Sequence, residues 1–170
     1  MSGLFLDIGQ CSLIKHGETL CGDCCCVVRE DDGDKITAVL SDGLGSGVKA
    51  NILATLTSKI LSTLTAKNLP LDDCIYTVAS TLPMCSERKI AYATFTVLRM
   101  VGDTVYLVQY DNPTAVLMRD GKSINYRKDV HFYGEKTIYE SRFQVRDGDI
   151  IVLMSDGITN AGMGKNMSSG

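Results

Sequence analysis

The chain has 170 residues, enough for one domain with a closed core, and a formal net charge of −3. Its 17 Lys and Arg form no basic stripe against 20 Asp and Glu, which argues against binding along a nucleic-acid backbone. No apolar run approaches the ~20 residues that span a bilayer, and the start MSGLFLDIGQ lacks the basic region of a secretory signal, so a cytoplasmic protein is expected.

In chain order, residues 4–15 hold Leu4-Phe5-Leu6 and then Cys11-Ser12-Leu13-Ile14-Lys15, read as a first strand. Strands are predicted over 24–29 and 35–41, with Asp31-Asp32-Gly33-Asp34 as the hairpin turn between them. After a run of glycines, Val48, Ile52, Leu56, Ile60 and Leu64 recur every four positions, joined by Leu53 and Leu61. That spacing predicts a helix over 47–67 with this apolar side in the core. A second helix is predicted over 71–82, with Asp72 and Asp73 in its first turn and Pro83 closing it. Period-two patterning then predicts strands over 92–100, 104–110, 115–119 and 123–126, and further strands over 138–145 and 150–154. Turns fall at Val101-Gly102-Asp103, Asp111-Asn112-Pro113, Asp120-Gly121 and Arg146-Asp147-Gly148-Asp149. Strands, two consecutive helices and then many strands suggest a layered α+β fold of antiparallel sheets rather than alternating βαβ units.

Seven cysteines include Cys21, Cys24, Cys25 and Cys26. Neighbouring cysteines on a strand point to opposite faces and the total is odd, so a disulfide framework is not expected. Cys21 and Cys24 offer half of a zinc site, but no second pair follows, and His16 and His131 stand alone. Small apolar side chains within a strand are the preferred reading, with both histidines as surface or packing residues. The acids around residues 30–34 lack the ligand spacing of a calcium loop and read as a solvated hairpin.

Two separate hydrophobic runs end in the same tripeptide: Ser41-Asp42-Gly43 and Ser155-Asp156-Gly157. One such copy is ordinarily a turn. Two copies, each closing a strand, suggest carboxylates fixed by rigid elements, with glycine admitting a close approach. Brought together, two such acids form a negative site that is costly unless paired or bound to a cation. An all-oxygen set suits Mg2+ or Mn2+ rather than zinc. Asp23, at the entry to a strand, is a third candidate.

Gly22-Asp23, Ser41-Asp42-Gly43-Leu44-Gly45-Ser46-Gly47 with Lys49-Ala50, Asp111-Asn112-Pro113-Thr114-Ala115, and Asp147-Gly148-Asp149 leading to Ser155-Asp156-Gly157 occur in that order. As a set they resemble the metal-dependent protein phosphatases, the PPM or protein phosphatase 2C-like family, in its bacterial stage II sporulation protein E branch. The resemblance covers nearly the whole chain. It implies an antiparallel β-sandwich flanked by helices in αββα layers, as a single domain over residues 1–170. It implies two Mn2+ or Mg2+ ions bridged by Asp42, with the Gly43 carbonyl on one, Asp156 on the other, and Asp23 acting through water. Two ions about 3.5–4 Å apart make hydroxide available from water near neutral pH, for attack on a phosphoserine or phosphothreonine of a protein. The resemblance admits a small anti-sigma-factor antagonist as that phosphoprotein, and a homodimer as the assembly.

Two departures from the family pattern stand out. Leu44 occupies the position where animal members carry a histidine, and the bacterial branch resembles this chain in lacking that histidine. The family's further metal-binding Asp near its C-terminus has no counterpart, because no acid follows Asp156; a chain lacking its C-terminal part, or a deficient site, is expected. A catalytically deficient binding or regulatory module is the alternative reading. A nucleotide site at Gly43–Gly47 is disfavoured, because the chain has no G-x-x-x-x-G-K and Asp42 would repel a phosphate.

Overall fold

The computed structural model describes residues 4–30, 35–67, 69–81, 93–134 and 136–161. Strands β1 (Asp23–Arg29) and β2 (Lys35–Gly43) precede helices α1 (Gly47–Ala66) and α2 (Leu71–Thr81). Then come β3 (Ala93–Val101), β4 (Thr104–Tyr110), β5 (Val116–Arg119), β6 (Lys122–Ile124), β7 (Asp129–Tyr133), β8 (Lys136–Gln144), β9 (Ile150–Val152) and a single turn of helix, α3 (Asp156–Thr159). The strands form a six-stranded sheet, β1-β2-β3-β4-β8-β7, and a three-stranded sheet, β6-β5-β9, antiparallel throughout.

The alternation within β2, β3 and β4 sends side chains to two different cores. Val39, Phe95, Val97, Val108, Tyr110 and Ile138 pack on Leu61 of α1 and on Ile75 and Val78 of α2. From the opposite face, Leu98, Met100, Val105 and Leu107 meet Ile151, Leu153, Tyr126 and Phe143. The result is an α+β sandwich with helices α1 and α2 on one face. Among the described residues no long helix covers the outer face of the smaller sheet. The turns at Gly102 and Asp120-Gly121 form as expected, with φ of 59° at Gly102, 52° at Asp120 and 74° at Gly121.

Three expectations are corrected. Residues 11–15 form no strand; they run as irregular, exposed chain ahead of a turn at His16-Gly17. A strand absent from the sequence reading, β7, pairs with β8 from Tyr133↔Lys136 to Asp129↔Glu140. Its side chains are mostly exposed, so an edge strand without a buried face left no alternating signal. The hairpin at 31–34, Tyr92, Leu82, Pro83 and the glycine-rich tail fall outside the described residues.

The largest correction concerns α1. Val48, Ile52, Leu56 and Ile60 are 54%, 52%, 54% and 44% exposed, whereas Ala50, Ala54, Thr57, Ser58, Leu61, Ser62 and Thr65 are buried. The helix lays its small-residue face on the sheet. Small Cβ groups allow the axis to approach the strands, which a row of branched aliphatics would hold away. Two serine hydroxyls on this face find partners: Ser58 Oγ lies 3.1 Å from Thr55 O and 3.3 Å from Cys24 Sγ, and Ser62 Oγ lies 3.3 Å from Cys26 Sγ. Cys24 and Cys26 thus serve as packing residues beneath α1, and the six described cysteines are all free thiols. This geometry separates two leucines of one helix. Leu61→Ala is expected to cost about 2–5 kcal/mol, whereas Leu56→Ala stays within about 0.5 kcal/mol. Urea titration of the two variants measures the difference; equal losses would contradict the orientation of α1.

Candidate functional site

The antiparallel register of β1 and β2 sets Asp23 directly opposite Asp42. Like charges facing each other across a ladder repel, so this pairing is unfavourable unless protons or cations intervene. On its other side Asp42 is opposite Thr94 of β3. The Gly43 N–H donates to Gly22 O at 3.0 Å, tying the two strand ends together. Asp156 arrives from the far end of the chain, as the first residue of α3 just beyond β9. Its carboxyl and that of Asp23 both lie close enough to the Asp42 carboxyl to raise it. The two Ser-Asp-Gly segments and Asp23 therefore meet at one end of the sandwich.

The electrostatic consequence falls on Asp42. Burial first, then the charge of Asp23, then the hydrogen bond and charge of Asp156, push its carboxyl up to about 8. Carboxyls this close share protons because they cannot all ionise together. Asp111 is also raised, by burial and then by the charge of Asp156. It stands in a left-handed conformation, φ 51°, at the turn after β4. Asn112 braces that turn, accepting from Thr94 Oγ1 at 2.6 Å and donating to Thr96 Oγ1 at 3.1 Å. The sequence reading assigned Asp111 no role; the Asp-Asn-Pro turn that carries it was the available signal.

The glycine-rich stretch before α1 is occupied by protein. Ser46 Oγ donates to Glu18 Oε1 at 2.5 Å, and a Cβ on Gly47 would run into the Glu18 carboxylate. An acid already fills the helix N-terminus that a nucleotide phosphate would use, in keeping with the rejection of that reading. Asp149, in the Asp-Gly-Asp segment before β9, is also structural. Arg119 grips both its oxygens, at 2.8 and 2.6 Å, and the Arg146 N–H donates to it at 2.9 Å. These bonds hold its carboxyl down at about 2. His16 is exposed, and His131 pairs with Glu140 at 3.5 Å on the edge strand; neither joins the acids. A cavity of about 580 Å3 lies between the sheets, lined in part by Leu6, Val27, Leu40, Met100 and Ile151. None of Asp23, Asp42 or Asp156 lines it.

The donor chemistry of the cluster, carboxylates with a backbone carbonyl nearby, suits a hard divalent cation. Among the described residues no three His, Cys, Asp or Glu side chains are disposed around a common centre for an ion. The acids instead crowd against Asp42, the arrangement expected where protons take the place of positive charge. Their donor chemistry fits such a cation, while the described side chains are not grouped around an ion position.

Comparison with known proteins agrees with this architecture. The profile of the Stage II sporulation protein E (SpoIIE) family matches residues 32–169, most of the chain. The chain belongs to the SpoIIE family. Among solved structures, the PP2C phosphatase domain with a fragment of the regulatory domain of SpoIIE from Bacillus subtilis superposes with a TM-score of 0.74 at 22% identity. That match covers 88% of this chain and 45% of the other, so the chain spans under half the length of that relative. RsbX in complex with magnesium matches at TM-score 0.66 and 18% identity, over 86% of this chain and 71% of the other. The S. agalactiae serine/threonine phosphatase matches at 0.66 and 15%, over 88% and 79%. No curated protein sequence matches significantly. The sandwich is therefore a PP2C-type fold. The family match includes Asp42 and Asp156, and no described helix is long and apolar enough to cross a membrane.

Proposed function

We propose that residues 1–170 form one phosphatase-type domain of a metal-dependent serine/threonine protein phosphatase acting in the cytoplasm. In this reading Asp42, the Gly43 carbonyl and Asp156 hold two Mn2+ or Mg2+ ions, and Asp23 contributes through water. The observation that carries the reading is the convergence of Asp42 with both Asp23 and Asp156, which leaves Asp42 protonated up to about pH 8. Such a carboxyl is kept costly for something other than stability.

Bound there, divalent cations lower the pKa of water and offset charge on phosphoryl oxygens. The chain's own residues supply the frame. Opposed strand ends fix Asp23 and Asp42 across one ladder, and α3 delivers Asp156 from the second sheet. Asn112 and Thr94 brace the adjoining turn, so the carboxyls are held by backbone rather than by mobile side chains alone. With Leu44 beside the pair, no histidine of this segment is available to protonate the leaving oxygen, and that proton falls to solvent. The substrate is a phosphoserine or phosphothreonine protein, an anti-sigma-factor antagonist being one candidate, and a homodimer is one candidate assembly.

The second reading is a binding or regulatory module without turnover. It is favoured by the lack of an ion-ready arrangement among the described residues. Phosphate release from a phosphoserine protein with Mn2+, and its loss by about 100-fold or more in Asp42→Asn and Asp156→Asn, is expected for the enzyme. Mn2+ uptake without any release would establish the module instead.

A further inference from the structure

Both Ser-Asp-Gly segments place a serine before the acid, and the two hydroxyls have different fates. Ser41 Oγ donates to the Thr94 carbonyl at 2.8 Å, an ordinary side-chain bond to the neighbouring strand. Ser155 Oγ donates to Asp23 Oδ2 at 2.7 Å, across 132 residues of sequence. Ser155 is the N-cap of α3, in extended conformation, where a serine hydroxyl ordinarily accepts from an N–H of its own helix. It makes no such capping bond. It is also buried, 5% exposed, so water does not compete for the hydroxyl. The Asp23 carboxylate, at the start of β1, takes the hydroxyl instead.

We propose that Ser155 is a positioning residue that orients the Asp23 carboxylate for its part in cation binding, an assignment that rests on the metal reading above. The hydroxyl occupies Oδ2 and fixes the rotamer, so the carboxylate faces Asp42 in one arrangement instead of several. Outer partners of this kind change metal affinity by about 10–100-fold when removed. The same bond ties the smaller sheet to the larger at the site itself. Asp156 and Asp23 are thereby set by one residue, which stands next to the first and is bonded to the second.

Mn2+ titration calorimetry on the full chain tests the assignment, with far-UV circular dichroism melts in the absence of metal to check folding. Ser155→Ala is expected to weaken Mn2+ binding about 10-fold or more, while Ser155→Thr, which retains a hydroxyl, restores it. In an Asp23→Asn background, Ser155→Ala is expected to add no further loss, since a residue acting through Asp23 has nothing left to position. A residue with only a structural part would weaken binding by the same factor in both backgrounds. If Ser155→Ala fails to fold, Ser155→Cys keeps the volume and donates only weakly, and the same non-additivity is read from it. Unchanged affinity in Ser155→Ala, or losses that multiply, would overturn the assignment while leaving the cation site standing. A wild-type chain that takes up no Mn2+ would remove the metal reading and this inference with it.

Discussion

Replacing Asp42 by asparagine is expected to stabilise the metal-free protein at pH 8 and to abolish its response to Mn2+. The sign follows from the direction of the shift. Asp42 is held up to about 8 in the folded chain, whereas an unfolded aspartate titrates near 3.9. Below about pH 4 both states carry the proton and its full contribution to stability is present. As pH rises from there, the unfolded chain ionises freely while the folded one keeps its proton, and stability falls until about pH 8. Asp42 is only partly buried, so solvent screening reduces the effect to about 2 kcal/mol. That corresponds to about 4–8 °C in midpoint for a chain of this size. Asparagine stays neutral throughout and removes this slope. Mn2+ reverses the preference in the wild type, because a cation favours the ionised carboxylate. Thermal melts from pH 5 to 8.5, with and without Mn2+, read both effects. A metal-free wild type with a flat profile, or an Asp42→Asn chain that Mn2+ still stabilises, would contradict the cluster as described.

The second large effect lies one residue further on. Gly43→Ala is expected to destabilise the protein by about 3 kcal/mol, or about 6–12 °C in midpoint. Gly43 is buried, and a Cβ there would lie 2.6 Å from the Ala50 carbonyl carbon and 2.7 Å from its Cα. These are backbone atoms of the first turn of α1, which no rotamer change moves aside. The glycine is needed for this close approach and not for an unusual φ. The same small-residue contact that brings α1 onto the sheet therefore runs to the segment that carries Asp42. Displacing the first turn is expected to disturb the Asp42-Gly43 ending and weaken Mn2+ binding together with stability. Gly9→Ala, at a glycine with open space around it, stays within about 0.5 kcal/mol. Equal melting of Gly43→Ala and wild type would show that α1 does not rest on Gly43.

Much of this organisation is visible in local pattern. The alternation in β3 and β4, the Asp-Gly turn between β5 and β6, and the extents of α1 and α2 follow from periodicity and turn chemistry, which act over a few residues. The repeated Ser-Asp-Gly singled out Asp42 and Asp156, and Asp23 stood out as an acid at a strand entry. The strand read into residues 11–15 failed for a related reason. An apolar run shows that side chains prefer to be buried, but not that a neighbouring strand is there to accept their backbone bonds.

Sequence by itself determined most of the elements, their order and the two acid endings, because each depends on residues within one or two turns of chain. Tertiary structure alone decided which face of α1 is inside, that Asp23 stands opposite Asp42, and that the Ser155 hydroxyl goes to Asp23 rather than to its own helix. The hydrophobic stripe of α1 points to the core by period, yet the distance between helix and sheet is set by the smallest side chains between them, and these chose the other face. Register and a bond across 132 residues are likewise properties of the closed sheet, for which no local stretch of the chain carries a signal.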